Sequence, residues 1–257
     1  MSTGEPAGHA LLAGRVVVVT AAAGTGIGFA TAKRCAEEGA VVVLSDAHQR
    51  RLSESADQLA ELHGQRPLAV ACDVTVESDV QRLYDAAVAE HGRVDVAVNN
   101  AGLGGTTELV DMTDDQWSKV LDVTLTGTFR CTRAALRLMY GQGSGVIVNN
   151  ASVLGWRAQA GQAHYAAAKA GVMALTRCAA AEAAPHGVRV NAVSPSLAMH
   201  PFLNRAISDE ELTVLRDREL FHRSAETWEV ANVIVFLASD YSSYMSGEVV
   251  SVSSQHP

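Results

Sequence analysis

Hydrophobic positions along this chain follow two alternating patterns. Short runs of β-branched residues, apolar at nearly every position, alternate with longer stretches in which apolar residues recur at helical spacing. This alternation is typical of βαβ units and of a parallel sheet buried on both faces. The runs predict seven strands: Arg15–Thr20, Val41–Ser45, Leu68–Cys72, Val94–Asn99, Gly145–Asn149, Val188–Val193 and Glu248–Val252. The longer stretches predict helices at Gly28–Glu38, Gln49–Leu62, Glu77–His91, Asp114–Met139, Gly161–Ala184 and Thr227–Ala238. We therefore expect one α/β domain over residues 1–257, a doubly wound parallel sheet flanked by helices.

Two segments depart from this pattern. Residues 195–223 are polar and carry two helical fragments, Phe202–Ala206 and Asp209–Glu219, with no strand between them. Long connections of this kind often cover a binding site, so we expect a substrate lid here. Residues 1–12 are rich in Gly and Ala, and we expect a frayed N-terminus.

Composition excludes several classes of function. The net charge is −8 and the basic residues are scattered, which argues against nucleic-acid binding. The four cysteines, Cys35, Cys72, Cys131 and Cys178, are far apart and form no CxxC pair, so we expect small core residues and neither disulfides nor a metal site. No apolar run approaches the roughly 18 residues of a membrane span. A cytoplasmic protein that does not associate with membranes is expected.

Glycines follow the first predicted strand and lead into the first helix. Such a loop lets backbone amides and the positive end of the helix dipole approach a pyrophosphate, so a dinucleotide site is expected. A tight turn without ligand is the alternative, but the strand–loop–helix context favours the nucleotide. The candidate residues are Thr20, Gly24, Thr25, Gly26, Ile27 and Gly28.

An acidic residue, Asp46, stands at the end of the second predicted strand. A carboxylate there would bind the adenosine ribose hydroxyls and repel a 2′-phosphate, which favours NAD over NADP. His48, Arg50 and Arg51 follow closely, and one of them could instead reach a phosphate. NAD is the expected cofactor, and NADP is the alternative.

Small and polar residues end the next two predicted strands. Asp73 and Val74 follow the third strand, and Asn100, Ala101 and Gly102 follow the fourth. Ligands of open α/β sheets bind outside the carboxyl ends of the strands, so these residues are candidates for cofactor binding. Taken alone, Asp73 is better explained as a helix cap.

The candidate catalytic centre is a pair one helical turn apart, Tyr165 and Lys169, preceded by Ser152. Positions i and i+4 share one face of a helix, so the phenol and the ammonium would point to the same volume. A nearby cation favours the phenolate and lowers the pKa of a tyrosine, which makes a proton donor or acceptor, and Ser152 could hold a substrate oxygen beside it. An isolated Tyr/Lys pair of this spacing is more often a surface pair.

These motifs occur in one order, and together they resemble the short-chain dehydrogenase/reductase family over residues of about 12 to 254. The resemblance implies a Rossmann-type fold, a nicotinamide cofactor and hydride transfer to or from a carbinol carbon. It also implies that Tyr165 is the acid/base, that Lys169 lowers its pKa and holds the nicotinamide ribose, and that Ser152 positions the substrate. Members are usually tetramers or dimers, so a homotetramer is expected.

Three positions depart from the family pattern. The glycine loop is one residue longer, with Ala22 at the place of the first glycine. Thr124 replaces a proton-relay asparagine, and its hydroxyl is expected to contact the relay. The usual Pro-Gly after the sixth strand is Pro195-Ser196, both expected at the cofactor, and His200 stands where a threonine commonly meets the nicotinamide.

The stretch from Asn149 to Arg157 further resembles the actinobacterial branch of the family that serves steroid catabolism. This resemblance implies a hydroxy-hydrindane-carboxyl-CoA as substrate, a large molecule that is apolar at one end and anionic at the other. Residues expected at the substrate are Ser152, Trp156, Arg157, His200 and Phe202. The alternatives are an NADPH-dependent 3-oxoacyl thioester reductase and a non-catalytic nucleotide-sensing scaffold.

Overall fold

A computed structural model describes residues 4–199 and 209–255 of the chain. Seven strands form one sheet: β1 (Val16–Val19), β2 (Val41–Asp46), β3 (Leu68–Ala71), β4 (Val96–Asn99), β5 (Gly145–Asn150), β6 (Val188–Pro195) and β7 (Val249–Val252). The α-helices are α1 (Ile27–Glu37), α2 (Gln49–His63), α3 (Glu77–His91), α4 (Asp114–Leu121), α5 (Gly127–Gln142), α6 (Ala163–Ala183), α7 (Asp209–Asp217) and α8 (Thr227–Ala238). The predicted fragment Phe202–Ala206 lies outside the described residues.

The sheet is parallel throughout, in the order β3-β2-β1-β4-β5-β6-β7. The predicted doubly wound parallel sheet is confirmed. Strand order reverses where β1 lies between β2 and β4, and ligands of such sheets bind beyond the carboxyl ends at this switch point. Every residue of β1 is buried, because helices cover both faces.

Alternate residues of β1 face two separate cores. Val17 and Val19 pack with α1, α2 and α8, whereas Val16 and Val18 pack with α3, α5 and α6. This follows from the period of two along a strand. The nearly continuous apolar runs in the sequence reflect burial on both sides of the sheet.

The predicted helix Asp114–Met139 is interrupted. A capping box between Thr113 and Gln116 starts α4, and a π-helical segment, Asp122–Thr126, separates α4 from α5. A π turn adds one residue to the helical repeat and changes the direction of the side chains around it. Within this segment the side chain of Thr124 is fully buried.

Residues 6–12, where the sequence predicts a frayed N-terminus, make hydrogen bonds to α1 and its C-terminal end. Glu38 is fully buried and accepts hydrogen bonds from the backbone N–H groups of His9 (2.8 Å) and Leu11 (2.9 Å). Arg34 pairs with Glu38 at 2.7 Å and also donates to the carbonyl of Pro6 at 2.7 Å. This ion pair therefore fixes the N-terminal segment against α1, which the composition of the segment could not reveal.

Cys35, Cys72 and Cys131 are buried core residues as predicted, whereas Cys178 is exposed on α6, contrary to the prediction. Within residues 4–199 and 209–255 no cluster of His, Cys, Asp and Glu could hold a metal ion. No helix in this described part of the chain is both long and apolar enough to cross a membrane.

Candidate active site

The glycine loop leaves open space in front of α1. Gly26 is the N-cap of α1, and no side chain caps the first turn. A Cβ atom placed on Gly24 or Gly26 would meet no other atom within 4 Å, and Gly24 has a φ of +87°. Uncapped amides beside open space fit a pyrophosphate, since the helix dipole favours an anion there.

The extra residue in the loop is accommodated by the backbone of two alanines. Ala21 adopts a φ of 50°, in the left-handed region that residues other than glycine rarely adopt. Ala22 is fully buried and donates its backbone N–H to the carbonyl of Ser45 at 2.9 Å. The loop is also bound to α2, because the Gly24 N–H donates to the hydroxyl of Ser55 at 3.0 Å. Ser55 is not among the residues predicted from the sequence.

Gly28 lies where α1 packs closely against the strand ends. A Cβ atom on this residue would lie 2.1 Å from the carbonyl oxygen of Ala21 and 2.6 Å from the Nδ2 of Asn100. Neither distance is sterically possible, so only glycine fits. Gly28 therefore serves helix–strand packing, while Gly24 and Gly26 leave room for a ligand.

Asn100 joins the ends of β1, β4 and β5. Its Nδ2 donates to the carbonyls of Thr20 (3.2 Å) and Ala21 (3.1 Å), and its Oδ1 accepts from the Nδ2 of Asn150 at 2.8 Å. The backbone N–H of Asn100 donates to the hydroxyl of Thr20 at 3.0 Å. Thr20 and Asn100 therefore position the glycine loop. Asn150 was missed; a second asparagine at the end of an otherwise apolar strand was the available signal.

Lys169 is buried beside the loop that follows β4. Its Nζ donates to the carbonyl of Asn150 at 2.5 Å and lies 5.5 Å from the centre of the Tyr165 ring. A Cβ atom on Gly102 would lie 3.3 Å from this Nζ. Burial lowers the pKa of Lys169 to about 7.

Tyr165 faces the same loop, and a Cβ atom on Gly104 would lie 3.6 Å from its ring. Burial raises the pKa of Tyr165 to about 12, and a hydrogen bond from the hydroxyl of Ser152 opposes this rise only in part. The lowered tyrosine pKa predicted from the nearby Lys169 is therefore not found. Burial is the dominant effect on the pKa of both Tyr165 and Lys169.

Ser152 follows β5 and is nearly buried. Its Oγ accepts a hydrogen bond from the backbone N–H of Leu154 at 3.2 Å, which caps a 3₁₀ turn at Val153–Gly155. Since a hydroxyl oxygen can accept and donate at once, Ser152 can still donate to the Tyr165 hydroxyl. The structure thus brings Ser152, Tyr165 and Lys169 together, as the sequence predicts.

The hydroxyl of Thr124 is hydrogen-bonded to the loop between β4 and α4. Its Oγ1 accepts from the backbone N–H of Leu103 at 2.9 Å and donates to the Leu103 carbonyl at 3.0 Å. The hydroxyl proton is therefore donated to the backbone, and the second lone pair of Oγ1 is left for a further donor. The π-helical segment carries Thr124 to this position and so holds the loop near Lys169.

Two aspartates lie at strand ends on the side of the glycine loop. Asp46 accepts hydrogen bonds from the backbone N–H groups of Ala23 (3.2 Å) and His48 (2.9 Å). Burial raises the pKa of Asp46, and the backbone N–H of Ala23, the charge of Arg51 and the backbone N–H of Ala47 oppose the rise. Arg51 is exposed on α2.

Asp73 is exposed and accepts two hydrogen bonds from Thr75, from the backbone N–H at 2.9 Å and from the hydroxyl at 2.7 Å. The N-cap of α3 is Val76, so the helix-cap interpretation of Asp73 is wrong. The neighbouring Val74 is buried against α5, where a Cβ atom on Gly127 would lie 2.6 Å from its Cγ2.

The structure describes some of the residues that the sequence predicts at the substrate. Trp156 is exposed beyond the 3₁₀ turn, and Arg157 donates to the backbone carbonyl of Gln255 at 3.3 Å. Ser196 follows the last residue of β6, Pro195, and its backbone N–H donates to the carbonyl of Val252 at 3.1 Å. His200 and Phe202 lie outside the described residues.

Comparison with known proteins agrees with this geometry. A family model described as enoyl-(acyl carrier protein) reductase matches residues 21–254. The chain is 64% identical over 98% of its length, and 97% of the relative, to (5R,7aS)-5-hydroxy-7a-methyl-1-oxo-2,3,5,6,7,7a-hexahydro-1H-indene-carboxyl-CoA reductase of Mycobacterium tuberculosis. It is 44% identical over 93% of its length, and 94% of the relative, to cis-4-hydroxycyclohexanecarboxylate dehydrogenase of Sinomonas cyclohexanicum.

Among solved structures, a short chain dehydrogenase from Mycobacterium smegmatis superimposes with a TM-score of 0.89 at 59% identity, covering 100% of this chain and 99% of that one. The similarity to these relatives, in sequence and in structure, therefore extends over nearly the whole chain. The chain belongs to the short-chain dehydrogenase/reductase family and is an oxidoreductase of the kind that uses a nicotinamide cofactor.

Proposed function

We propose that the chain is an NAD-dependent oxidoreductase that interconverts a secondary alcohol and a ketone on a steroid-derived cyclic acyl-CoA. The observation that carries this proposal is the convergence of Ser152, Tyr165 and Lys169 beside Gly102, at the carboxyl ends of β4 and β5. Support for the substrate comes from the relative that shares 64% of its residues and whose name specifies a hydroxy-oxo-indene-carboxyl-CoA.

The chain's own residues supply proton transfer and orientation. Tyr165, with a pKa raised to about 12, is protonated at neutral pH and can donate its proton to a carbonyl oxygen during reduction. Ser152 donates a second hydrogen bond that fixes this oxygen. Protonated Lys169 would stabilise the phenolate that remains. The nicotinamide cofactor, when bound, exchanges the hydride with the carbinol carbon.

Most of the remaining candidates would hold the cofactor. The open loop at Gly24 and Gly26 fits the pyrophosphate, and Asp46 would bind the ribose hydroxyls and so favour NAD over NADP. We assign further cofactor contacts to Thr20, Thr25, Ile27, Gly28, Asp73, Val74, Asn100, Ala101, Gly102, Pro195 and Ser196. Thr124 holds Leu103 in place and keeps the contact with the proton relay that the sequence predicts, through the second lone pair of its hydroxyl oxygen.

Charged and aromatic residues beyond Ser152 would meet the acyl-CoA. Trp156 offers an exposed apolar surface, and Arg157 offers a cation, for the ring system and the CoA phosphates respectively. His200 and Phe202 keep the roles predicted from sequence. Arg223 is a poorer candidate for phosphate, because both its terminal nitrogens are bonded to Glu229, at 2.7 and 2.8 Å.

A cytoplasmic homotetramer is the assembly and location that we propose from the family resemblance. A second candidate, an NADPH-dependent 3-oxoacyl thioester reductase, shares the same catalytic residues and differs in cofactor and acyl group. Asp46 disfavours it, because a carboxylate repels the 2′-phosphate. A nucleotide-sensing scaffold is disfavoured by the intact Tyr165 and Lys169.

A spectrophotometric screen tests the proposal. Purified protein is assayed with NAD⁺ and NADP⁺ against hydroxyacyl-CoA substrates, with and without a fused-ring acyl group. We expect turnover with NAD⁺ and the fused-ring thioester. Activity confined to linear hydroxyacyl-CoAs, or a preference for NADP(H), would support the second candidate instead.

A further inference from the structure

One buried carboxylate outside the catalytic group connects three separate segments. Glu219 lies two residues after the end of α7, and only 2% of its surface is exposed. It accepts hydrogen bonds from the backbone N–H (3.3 Å) and hydroxyl (2.7 Å) of Ser254 and from the Nε2 of Gln255 (2.7 Å). The hydroxyl of Ser196 is a further donor. All of these donors are neutral groups.

One of these segments contains Ser196, which we place at the cofactor. Another contacts Arg157, which we place at the substrate. Ser196 directly follows β6, at the strand ends that face the cofactor site. The C-terminal tail, which we define as Ser253–Gln255, follows β7, and its Gln255 carbonyl accepts a hydrogen bond from Arg157 at 3.3 Å. The contacts therefore run from Ser196 through Glu219 and the tail to Arg157.

The environment of Glu219 keeps it charged. Burial raises the pKa of a carboxyl group, but the hydrogen bonds from Ser254, Gln255 and Ser196 outweigh burial and lower the pKa of Glu219. The chain then turns sharply, with His222 at a φ of 49° and its backbone N–H bonded to the Glu219 carbonyl at 2.9 Å. Such a turn fixes the direction from which the carboxylate approaches the tail.

We propose that Glu219 is a positioning residue that holds the C-terminal tail between Ser196 and Arg157, so that the tail borders the acyl-CoA site. This inference rests on the proposed function for the identity of the substrate, but not for the attachment of the tail. A carboxylate suits this role because it accepts several hydrogen bonds at once, whereas a carboxamide has one accepting atom.

The experiment compares Glu219→Gln with Glu61→Gln, the same change at an exposed position of α2. The first readout is the rate at which a carboxypeptidase removes the C-terminal residues, followed by mass spectrometry. The second is KM for the fused-ring acyl-CoA against kcat. Hydrogen bonds to a charged group are strong, so we expect tail removal and KM each to rise about tenfold in Glu219→Gln, with kcat nearly unchanged. Glu61→Gln should resemble the wild type.

Acidic pH provides an additional check. Because the pKa of Glu219 is lowered, the wild type should retain its tail protection at pH values just below the ordinary range of a glutamate and lose it at still lower pH. The Glu219→Gln variant should show no such transition. If Glu219→Gln does not fold, Ser254→Ala, which removes only the donor at 2.7 Å, replaces it.

Equal rates of tail removal in Glu219→Gln and Glu61→Gln would overturn the proposal. Faster removal with an unchanged KM would overturn the positioning role, since the tail would then not border the substrate. A wild-type protein that protects its tail through Glu219 but does not turn over any acyl-CoA would contradict the proposed function and leave the attachment of the tail supported.

Discussion

The two halves of the active site are held together in different ways. On the cofactor side, neighbouring strand ends are bonded directly to each other, because Asn100 contacts Thr20 and Asn150. On the substrate side, distant segments converge on a single carboxylate, Glu219. The first half is thus an extension of the sheet, whereas the second depends on side chains of loops and tail. A substrate site of this kind can change without disturbing the sheet.

The largest effect should come from the cofactor side, with Gly28→Ala. The added Cβ would lie 2.1 Å from the Ala21 carbonyl oxygen, so α1 has to move away from the strand ends. We expect a loss of about 3 kcal/mol in the free energy of unfolding, typical of severe overpacking. Urea denaturation measures this loss.

Gly26→Ala is the matched variant for Gly28→Ala. Its Cβ would enter open space, and the backbone φ of −83° suits alanine. We expect nearly unchanged stability but weaker NADH binding, because the methyl group would occupy the space in front of the α1 amides. Equal stability of the two variants would contradict the close packing of Gly28 against Ala21.

Thr124→Val should have the next largest effect. Valine has nearly the shape of threonine but cannot bond the N–H and carbonyl of Leu103. Both groups are part-buried and lose this partner, at a cost of about 1 kcal/mol. We expect kcat/KM to fall about tenfold and Thr124→Ser to restore most of it. An unchanged turnover and pH profile in Thr124→Val would show that Thr124 has no role in the active site.

Lys169→Met should change how stability depends on pH. The pKa of Lys169 is about 7 in the folded chain, below its value of 10.5 when unfolded, so the unfolded state binds this proton more tightly. Between pH 7 and 9 the wild type should gain up to about 1.4 kcal/mol of stability per pH unit relative to Lys169→Met. Urea midpoints at successive pH values measure the slope. Parallel curves for the two proteins would contradict the lowered pKa.

The smallest effect is expected at Asp46. In Asp46→Asn the carboxylate charge is lost while one oxygen can still accept the bond from Ala23 or His48. The ratio of kcat/KM for NADP⁺ to that for NAD⁺ should rise about fivefold, because the repulsion of the 2′-phosphate is removed. Glu54→Gln, an exposed change on α2, is the control. An unchanged ratio would mean that Asp46 does not select the cofactor.

The cofactor side was largely predictable from sequence, and the reason is local. Each strand end, such as Asn100 after β4, is marked by a change from apolar to polar residues, and the parallel sheet brings these ends to one edge. What the sequence could not show was their mutual bonding. The role of Asn150 depends on the neighbouring strand, and the interruption at Asp122–Thr126 depends on how α4 and α5 pack.

The substrate side was predicted less completely. Glu219 was placed within a helical fragment and had no assigned role, because its partners Ser254 and Gln255 are far away in sequence. Long-range hydrogen bonds of this kind leave no local pattern. The pKa of Tyr165 also depends on burial, which local sequence does not show. The spacing to Lys169 predicts a lowered pKa, whereas burial raises it.

The most direct test of the account is a single-turnover measurement on Tyr165→Phe, with NADH and the fused-ring ketone as reactants. The phenol is the proposed proton donor, so the rate of NADH oxidation should fall by a factor of about 10²–10⁴. NADH affinity, measured by fluorescence titration, should stay close to that of the wild type. A variant that binds NADH normally and oxidises it at the wild-type rate would contradict the central claim that Tyr165 transfers the proton.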